Sequence, residues 1–366
     1  MGFFNSESDV QKMCSALLKR DRMLTVETTK KIDNLFNEAI ALEPRLSGCV
    51  TGWKGDYSSS GMLGIRKTYR LEISYNPEYP KSVDDVIVDT PDWKLTDFVK
   101  NGKDLPESLY MVTRSVNDLH QKIQDGIDAL RDSVFGLKTT SIRYIENPGG
   151  YSFVKCTFVY CEDTPRVNMW MQSSLKKVIE IDRKYFGKAP KLIKAFLAFS
   201  YLQQTCAYDE DAANMIDSDP TADIPDPWVV HPYGPLCRNH GVCQGISAAF
   251  QLFMNHFGIE SHIVSGIQGD ADDFGLHSWN MINMDHNWFH VDATAGILGD
   301  GIYIGSFLKC DSDMEENYQW DRDKYPPCTM RYPNYSAVER YIDDHYDDLI
   351  DSGVEEKYLI PDTINE

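Results

Sequence analysis

Between residues 243 and 258 the apolar side chains Ile246, Ala249, Phe250, Phe253, Met254 and Phe257 recur at intervals of three and four, and Gly258 follows. That spacing predicts an amphipathic helix, ended by a residue suited to the left-handed conformation. Leu276 to Met284 and Trp288 to Thr294 alternate instead, with only Asp285-His286-Asn287 between them. Alternation predicts strands, and so short a link predicts an antiparallel hairpin. If Asp285 and His286 are the two turn residues, Met284 pairs with Asn287. Asp292 then lies opposite Trp279, diagonal to His277 and on its face. One extra turn residue would put His277 and Asp292 on opposite faces.

The same patterns organise the rest of the chain. Residues 26–42 and 111–131 read as helices, each followed by turn-rich sequence and an alternating strand, Thr68–Tyr75 and Tyr151–Tyr160 respectively. These suggest one small α+β unit occurring twice, about 85 residues apart, although two unrelated helix-hairpin units would read the same way. Residues 166–210 read as helical with a break near Gly187-Lys-Ala-Pro190. The Asp- and Pro-rich segment 216–235 reads as loop, 311–336 as irregular, and Ala337 to Ser352 as a last helix. The expectation is an α+β protein with an N-terminal region at 1–165, a core domain at 166–336 and a C-terminal helix and tail at 337–366.

The chain has 366 residues, 42% hydrophobic and 25% charged, an ordinary composition for a globular protein. Its net charge of −20 argues against nucleic acid and anionic membranes, which demand positive surface. Residues 341–366 hold nine acidic side chains and one lysine, which reads as a solvated helix and end. No signal peptide or membrane span is visible, and nine scattered cysteines fit reduced, mostly buried thiols. Together these point to a cytoplasmic location, unless an export signal has been trimmed away.

The chemistry concentrates in the helix and hairpin. Cys243 falls in the helix's first turn, where unpaired N–H groups and the dipole favour a thiolate. It also extends the apolar stripe, so a core cysteine is the alternative. Gly241 and Gly245 flank it and would allow a substrate carbonyl close approach. His277 and Asp292, brought together by the hairpin, complete a candidate catalytic triad: Cys243 attacks a carbonyl, His277 moves the proton, and Asp292 orients the imidazole. The Cys243 backbone N–H is the natural first oxyanion donor. Tyr233, Trp228 and Gln203-Gln204 are candidates for the second, with Gln244 and Trp279 as further residues bordering the substrate, though Trp279 and Trp288 fit hairpin packing better. Cys237, His240 and Cys243 have zinc-like spacing, yet the triad accounts for Cys243 and His277 together with Asp292, and zinc does not. The segment Gln268–Gly275 carries three aspartates without the EF-hand order, so it reads as a gating loop and not a calcium site. No metal or organic cofactor is expected.

Several motifs combine into a specific resemblance: Ala207-Tyr208-Asp209 after a helix, Tyr233-Gly234-Pro235-Leu236, Gly241-Val-Cys-Gln-Gly245, Gly258-Ile259, His277-Ser-Trp-Asn280 and Trp288 to Thr294. With Phe307-Leu308, Trp320 and Tyr325-Pro326, they make residues 190–330 resemble the transglutaminase-like superfamily, above all its bacterial members. Ser278 stands where that family usually has Ala. The resemblance implies a papain-related core, with the nucleophile at a helix N-terminus packed on an antiparallel sheet, and thioester chemistry on a peptide or protein amide. The triad does not choose between water and an amine as acceptor; a bacterial-type member leans toward hydrolysis. A binding or scaffold protein on an idle fold is the third reading, against which stands the presence of all three triad residues.

Overall fold

The computed structural model describes residues 8–60, 66–98, 106–130, 132–146, 150–219, 222–270, 273–297, 302–331, 334–359 and 364–365. The chain divides into two compact units. One comprises 1–101, 105–128 and 139–159, and the other comprises 102–104, 129–138 and 160–366.

The first unit contains α1 (Asp9–Lys19), β1 (Met23–Thr28), α2 (Ile32–Leu42), β2 (Val50–Ser60), β3 (Arg66–Tyr75) and β4 (Val86–Val88). It continues through β5 (Ser108–Thr113) and α3 (Val116–Leu130) to β6 (Leu137–Ile145) and β7 (Ser152–Tyr160), of which residues 129–130, 137–138 and 160 are assigned to the second unit. Two sheets form, in the orders β1-β3-β2 and β4-β5-β7-β6. Each therefore holds a strand–helix–strand–strand sequence whose last strand is central. The helices begin later than the apolar pattern predicts, at Ile32 and Val116 instead of 26 and 111. The β-branched residues of Val26-Glu27-Thr28 and Val112-Thr113 are strand residues, with Val26 and Thr28 turned inward at a period of two. Ser115 Oγ accepts the Asp118 N–H at 3.3 Å and marks the start of α3. The helix α1, not anticipated from the pattern, starts with a Ser8/Gln11 capping box and buries Met13, Cys14, Ala16 and Leu17.

The second unit runs through α4 (Thr164–Tyr185), α5 (Lys191–Thr205), β8 (Ala207–Tyr208), α6 (Glu210–Ser218), β9 (His240–Gly241) and α7 (Cys243–Phe257). After these come β10 (Ser261–Asp270), β11 (Asp273–Met284), β12 (Asn287–Val291), β13 (Ile302–Tyr303), β14 (Phe307–Lys309), α8 (Asp311–Met314) and β15 (Tyr318–Trp320). The unit closes with α9 (Asn334–Asp351), α10 (Glu356–Leu359) and β16 (Ile364–Asn365). Five strands form an antiparallel sheet in the order β14-β12-β11-β10-β15. Where a loop was expected at 216–235, α6 extends to Ser218.

Two expectations change here. First, α7 is not a surface helix with one wet face: residues 245–254 are all buried. Its polar members are satisfied internally, with Ser247 Oγ donating to the Ser278 carbonyl at 2.7 Å and Gln251 Nε2 to Ser261 Oγ at 2.7 Å. Second, the C-terminal segment is not merely a solvated tail. Val338, Ile342, Leu349, Val354, Tyr358 and Leu359 are buried in the same core as Phe250 and Phe253 of α7. A charge count over this segment hides those few, spaced apolar positions.

Candidate active site

The hairpin has the two-residue turn. Asp285 and His286 both adopt positive φ, 52° and 67°, and Met284 pairs with Asn287. Paired positive φ values twist the turn with the strands and fix the register without glycine. The ladder continues through Asn280 opposite Val291, which leaves Asp292 just past the strand end. There His277 Nε2 and Asp292 Oδ2 lie 2.8 Å apart, both groups buried.

Asp292 is held from three further directions. Its Oδ1 accepts the Thr294 N–H at 2.9 Å, its Oδ2 accepts the Tyr318 hydroxyl at 2.8 Å, and its carbonyl accepts Ser306 Oγ at 2.8 Å. Burial disfavours its charge, but His277, Tyr318 and Thr294 more than offset that and hold the carboxyl below its ordinary range. For His277 burial likewise opposes the charged form. Asp292 and Cys243 outweigh it, and the imidazole pKa rises to about 10. Because Nε2 serves Asp292, Nδ1 is the nitrogen left for Cys243, which interacts with the same ring.

Cys243 is partly exposed at the first position of α7, whose N-cap, Val242, offers no side chain to the free N–H groups. The group that meets it is one the sequence did not single out for catalysis. In the parallel bridge between β8 and β9, Tyr208 lies opposite Gly241. That pairing places the Tyr208 phenol beside Cys243, close enough for the two groups to interact electrostatically. Burial and Cys243 keep this phenol protonated by raising its pKa. Asp209 anchors the bridge, its N–H donating to the Gly241 carbonyl and its carboxylate lying 3.0 Å from His240 Nε2.

Of the candidate second donors, Trp228 and Gln204 spend N–H groups on other partners, whereas the buried Gln203 Nε2 has none among the described residues. The Tyr233 ring stacks on Trp170 with centroids 5.7 Å apart, and the Trp228 indole N–H donates to Asp226 at 3.1 Å. Gln203 Oε1 accepts the Tyr303 N–H, and Gln204 donates to the Lys357 carbonyl. Trp279 is fully buried, which removes it from any substrate surface; it stacks against His277 at 5.9 Å. Gln244 is exposed beside the nucleophile. The two glycines serve packing instead of substrate approach: a Cβ at Gly245 would sit 2.1 Å from the Val229 carbonyl oxygen, and one at Gly241 would sit 2.9 Å from Pro235. The expected gating loop is a regular ladder in its described part, pairing Gln268 with Gly275 and Asp270 with Asp273, while Asp272 lies outside the described residues. The segment before His277 is docked on α6 by Asp217, whose Oδ1 accepts the Leu276 N–H at 3.0 Å.

Among the described residues, one group of metal-type ligand atoms converges within 4.8 Å, namely His290, Asp311 and Cys328, and not Cys237, His240 and Cys243. Its hydrogen bonds argue against a metal. The Trp279 indole N–H donates to His290 Nδ1 at 2.9 Å, so the proton of a neutral ring sits on Nε2, facing Asp311 Oδ1 at 2.9 Å. A metal on Nε2 would force a proton onto Nδ1, against the indole N–H.

Residues 183–293 match the family model of the transglutaminase-like superfamily, so the part of the chain that bears Cys243, His277 and Asp292 is a transglutaminase-like core, a superfamily of thiol-dependent enzymes. No curated protein matches the chain. Solved structures similar to it include a TGase, 17% identical with a TM-score of 0.29, the match covering 63% of each chain. Another is the periplasmic domain of TgpA from Pseudomonas aeruginosa bound to ethylmercury, 17% identical with a TM-score of 0.25, covering 40% of this chain and 56% of that one. The family assignment rests on the sequence match. Among the described residues, no helix is long and apolar enough to cross a membrane.

Proposed function

We propose that this member of the transglutaminase-like superfamily is a thiol acyl-transfer enzyme that hydrolyses an amide bond of a peptide or protein. The observation that carries the reading is His277, which touches Asp292 through Nε2 and interacts with Cys243 through its other side. An imidazolium beside a helix N-terminus is the environment in which a thiolate forms. The Cys243 sulfur attacks the amide carbon, and the carbonyl oxygen becomes an oxyanion. As the C–N bond breaks, the leaving nitrogen takes the proton from His277. Water then attacks the thioester and yields its proton to His277. The C–S bond breaks, and Cys243 departs as thiolate.

Two donors face the oxyanion in this reading: the Cys243 N–H and the Tyr208 hydroxyl. The substrate carbonyl, entering beside Cys243, accepts from both. With its pKa raised, Tyr208 stays protonated and keeps an O–H to donate. Cys243 is partly exposed and Gln244 exposed, which supports water as acceptor.

The test is selective labelling. An iodoacetamide probe should modify Cys243 ahead of the other eight cysteines near neutral pH, and His277→Ala should abolish that preference. A peptide library, incubated with and without a primary amine, then reads the acceptor. Cleavage supports hydrolysis, and amine incorporation would replace it with transamidation. If several cysteines label equally, and no product forms that Cys243→Ala abolishes, the protein is a binding module on this fold.

A further inference from the structure

Behind the triad lies a second histidine–carboxylate pair that the proposed reaction does not touch, a buried His290 against a half-buried Asp311. His290 is fully buried on β12. Its Nδ1 accepts the Trp279 indole N–H at 2.9 Å, and its Nε2 meets Asp311 Oδ1 at 2.9 Å. Asp311 is itself fixed by the Cys328 N–H, which donates to Oδ2 at 3.1 Å. Trp320 stands nearly edge-on to both rings, 4.8 Å from His290 and 6.0 Å from Trp279. The His277 imidazole also packs on Trp279, almost parallel to the indole, 18° between planes and 5.9 Å between centroids. Tyr318, which donates to Asp292, packs across the same indole at 5.2 Å.

We infer that His290 and Asp311 are positioning residues for His277, acting through the indole of Trp279. The inference deepens the proposed function and rests on it for its catalytic meaning. A buried aromatic ring can be held in place by shape alone, but its rotation about the Cα–Cβ and Cβ–Cγ bonds is stopped more sharply by a hydrogen bond at its rim. Here one neutral tautomer fits: Asp311 takes the Nε2 proton, which leaves Nδ1 as acceptor for the indole. The ring so fixed forms the floor under the imidazole and one wall beside the Tyr318 phenol. Both side chains that meet Asp292 Oδ2, His277 and Tyr318, therefore pack on the same indole. The hydrogen bonds of the triad fix His277 within its plane, and Trp279 fixes the plane itself.

Two substitutions of His290 separate positioning from bulk stability. In His290→Asn the side-chain oxygen falls where Nδ1 was and can accept the indole N–H. In His290→Gln the amide falls where Nε2 was and faces Asp311, leaving the indole N–H without its acceptor. Both lose a buried ring, so a purely structural role would move them together. The readouts are the ¹⁵N shifts of the His277 ring nitrogens at fixed pH and the alkylation rate of Cys243 by iodoacetamide, with urea unfolding as control. We expect His290→Asn to keep parental His277 shifts and a rate within about twofold. His290→Gln should shift or broaden the His277 signals and slow alkylation roughly tenfold. Trp279→Phe, which keeps a ring but has no N–H, should behave like His290→Gln and serves if the latter does not fold. Equal His277 shifts and rates in the Asn and Gln variants, or a parental Trp279→Phe, would overturn the inference. If the shifts separate as expected while parental alkylation proves independent of His277, the positioning stands and the catalytic reading falls.

Discussion

Tyr208 lies opposite Gly241 in a two-residue parallel bridge, and this pairing brings its phenol beside Cys243, two residues further along the chain from Gly241. As the second oxyanion donor, Tyr208 would act mainly in the transition state. Tyr208→Phe should lower kcat about 10²- to 10³-fold with little change in KM, measured by steady-state kinetics on an amide substrate. A parental kcat in this variant would remove Tyr208 from the mechanism.

Asp292 accepts from Tyr318, so the phenol is a support of the triad that can be removed without removing the carboxylate. Tyr318→Phe should reduce kcat/KM by roughly tenfold, and Asp292→Asn, which loses the imidazolium's charge partner, by far more. Comparison of the two variants in the same assay checks the order.

The pH dependence of stability follows from the His277–Asp292 pair. The folded imidazole pKa, about 10, lies above the ordinary 6.5. Its contribution is whole below pH 6.5 and disappears as pH rises through 10. The carboxyl is shifted downward, so its share is lost only in acid. The gap in unfolding free energy between parent and Asp292→Asn should therefore narrow between pH 7 and 10, as read by urea titration at each pH.

His231 has the opposite sign. It is buried against Phe135 and Trp170, its Nδ1 accepts the Tyr233 N–H at 3.1 Å, and burial lowers its pKa to about 3. The unfolded chain binds the proton first, so this neutral imidazole costs stability as pH falls below 6.5. His231→Asn keeps an acceptor for Tyr233 but does not titrate. Its unfolding midpoint should fall less steeply than the parent's between pH 6.5 and 4.

Gly245 admits the Val229 carbonyl where a Cβ would lie only 2.1 Å away. Gly245→Ala should destabilise the protein by about 1–3 kcal/mol or more, seen as a lower urea midpoint. By contrast, a chelator should leave both the midpoint and the labelling of Cys243 unchanged, since the hydrogen bonds of His290 leave no nitrogen for a metal.

The local rules were legible in the residues themselves. Spacing of apolar side chains marked α7, and alternation marked β11 and β12. The count of two turn residues carried the register, because strand side chains alternate with a period of two and a one-residue slip would separate His277 from Asp292. Composition misled where a few spaced apolar residues were diluted by charge, as in α9, and where β-branched residues lay just before a helix, as at Val26 and Val112.

What the tertiary structure alone decided is which distant residues share the site. Tyr208 and Tyr318 lie 35 and 75 residues from Cys243; Tyr208 stands within one motif of the family resemblance, but no spacing places either side chain at the site. A two-residue bridge and an edge strand bring them in, and such short pairings leave no periodicity to read. The same holds for Gly245, whose need is a carbonyl from another segment, and for Trp279, whose floor is built from β12, α8 and β15. Periodicity reports the face a residue presents; it does not report what meets that face. In this protein the sequence determined the candidate nucleophile, the candidate base and the turn that brings that histidine to a carboxylate, and long-range packing decided what surrounds them.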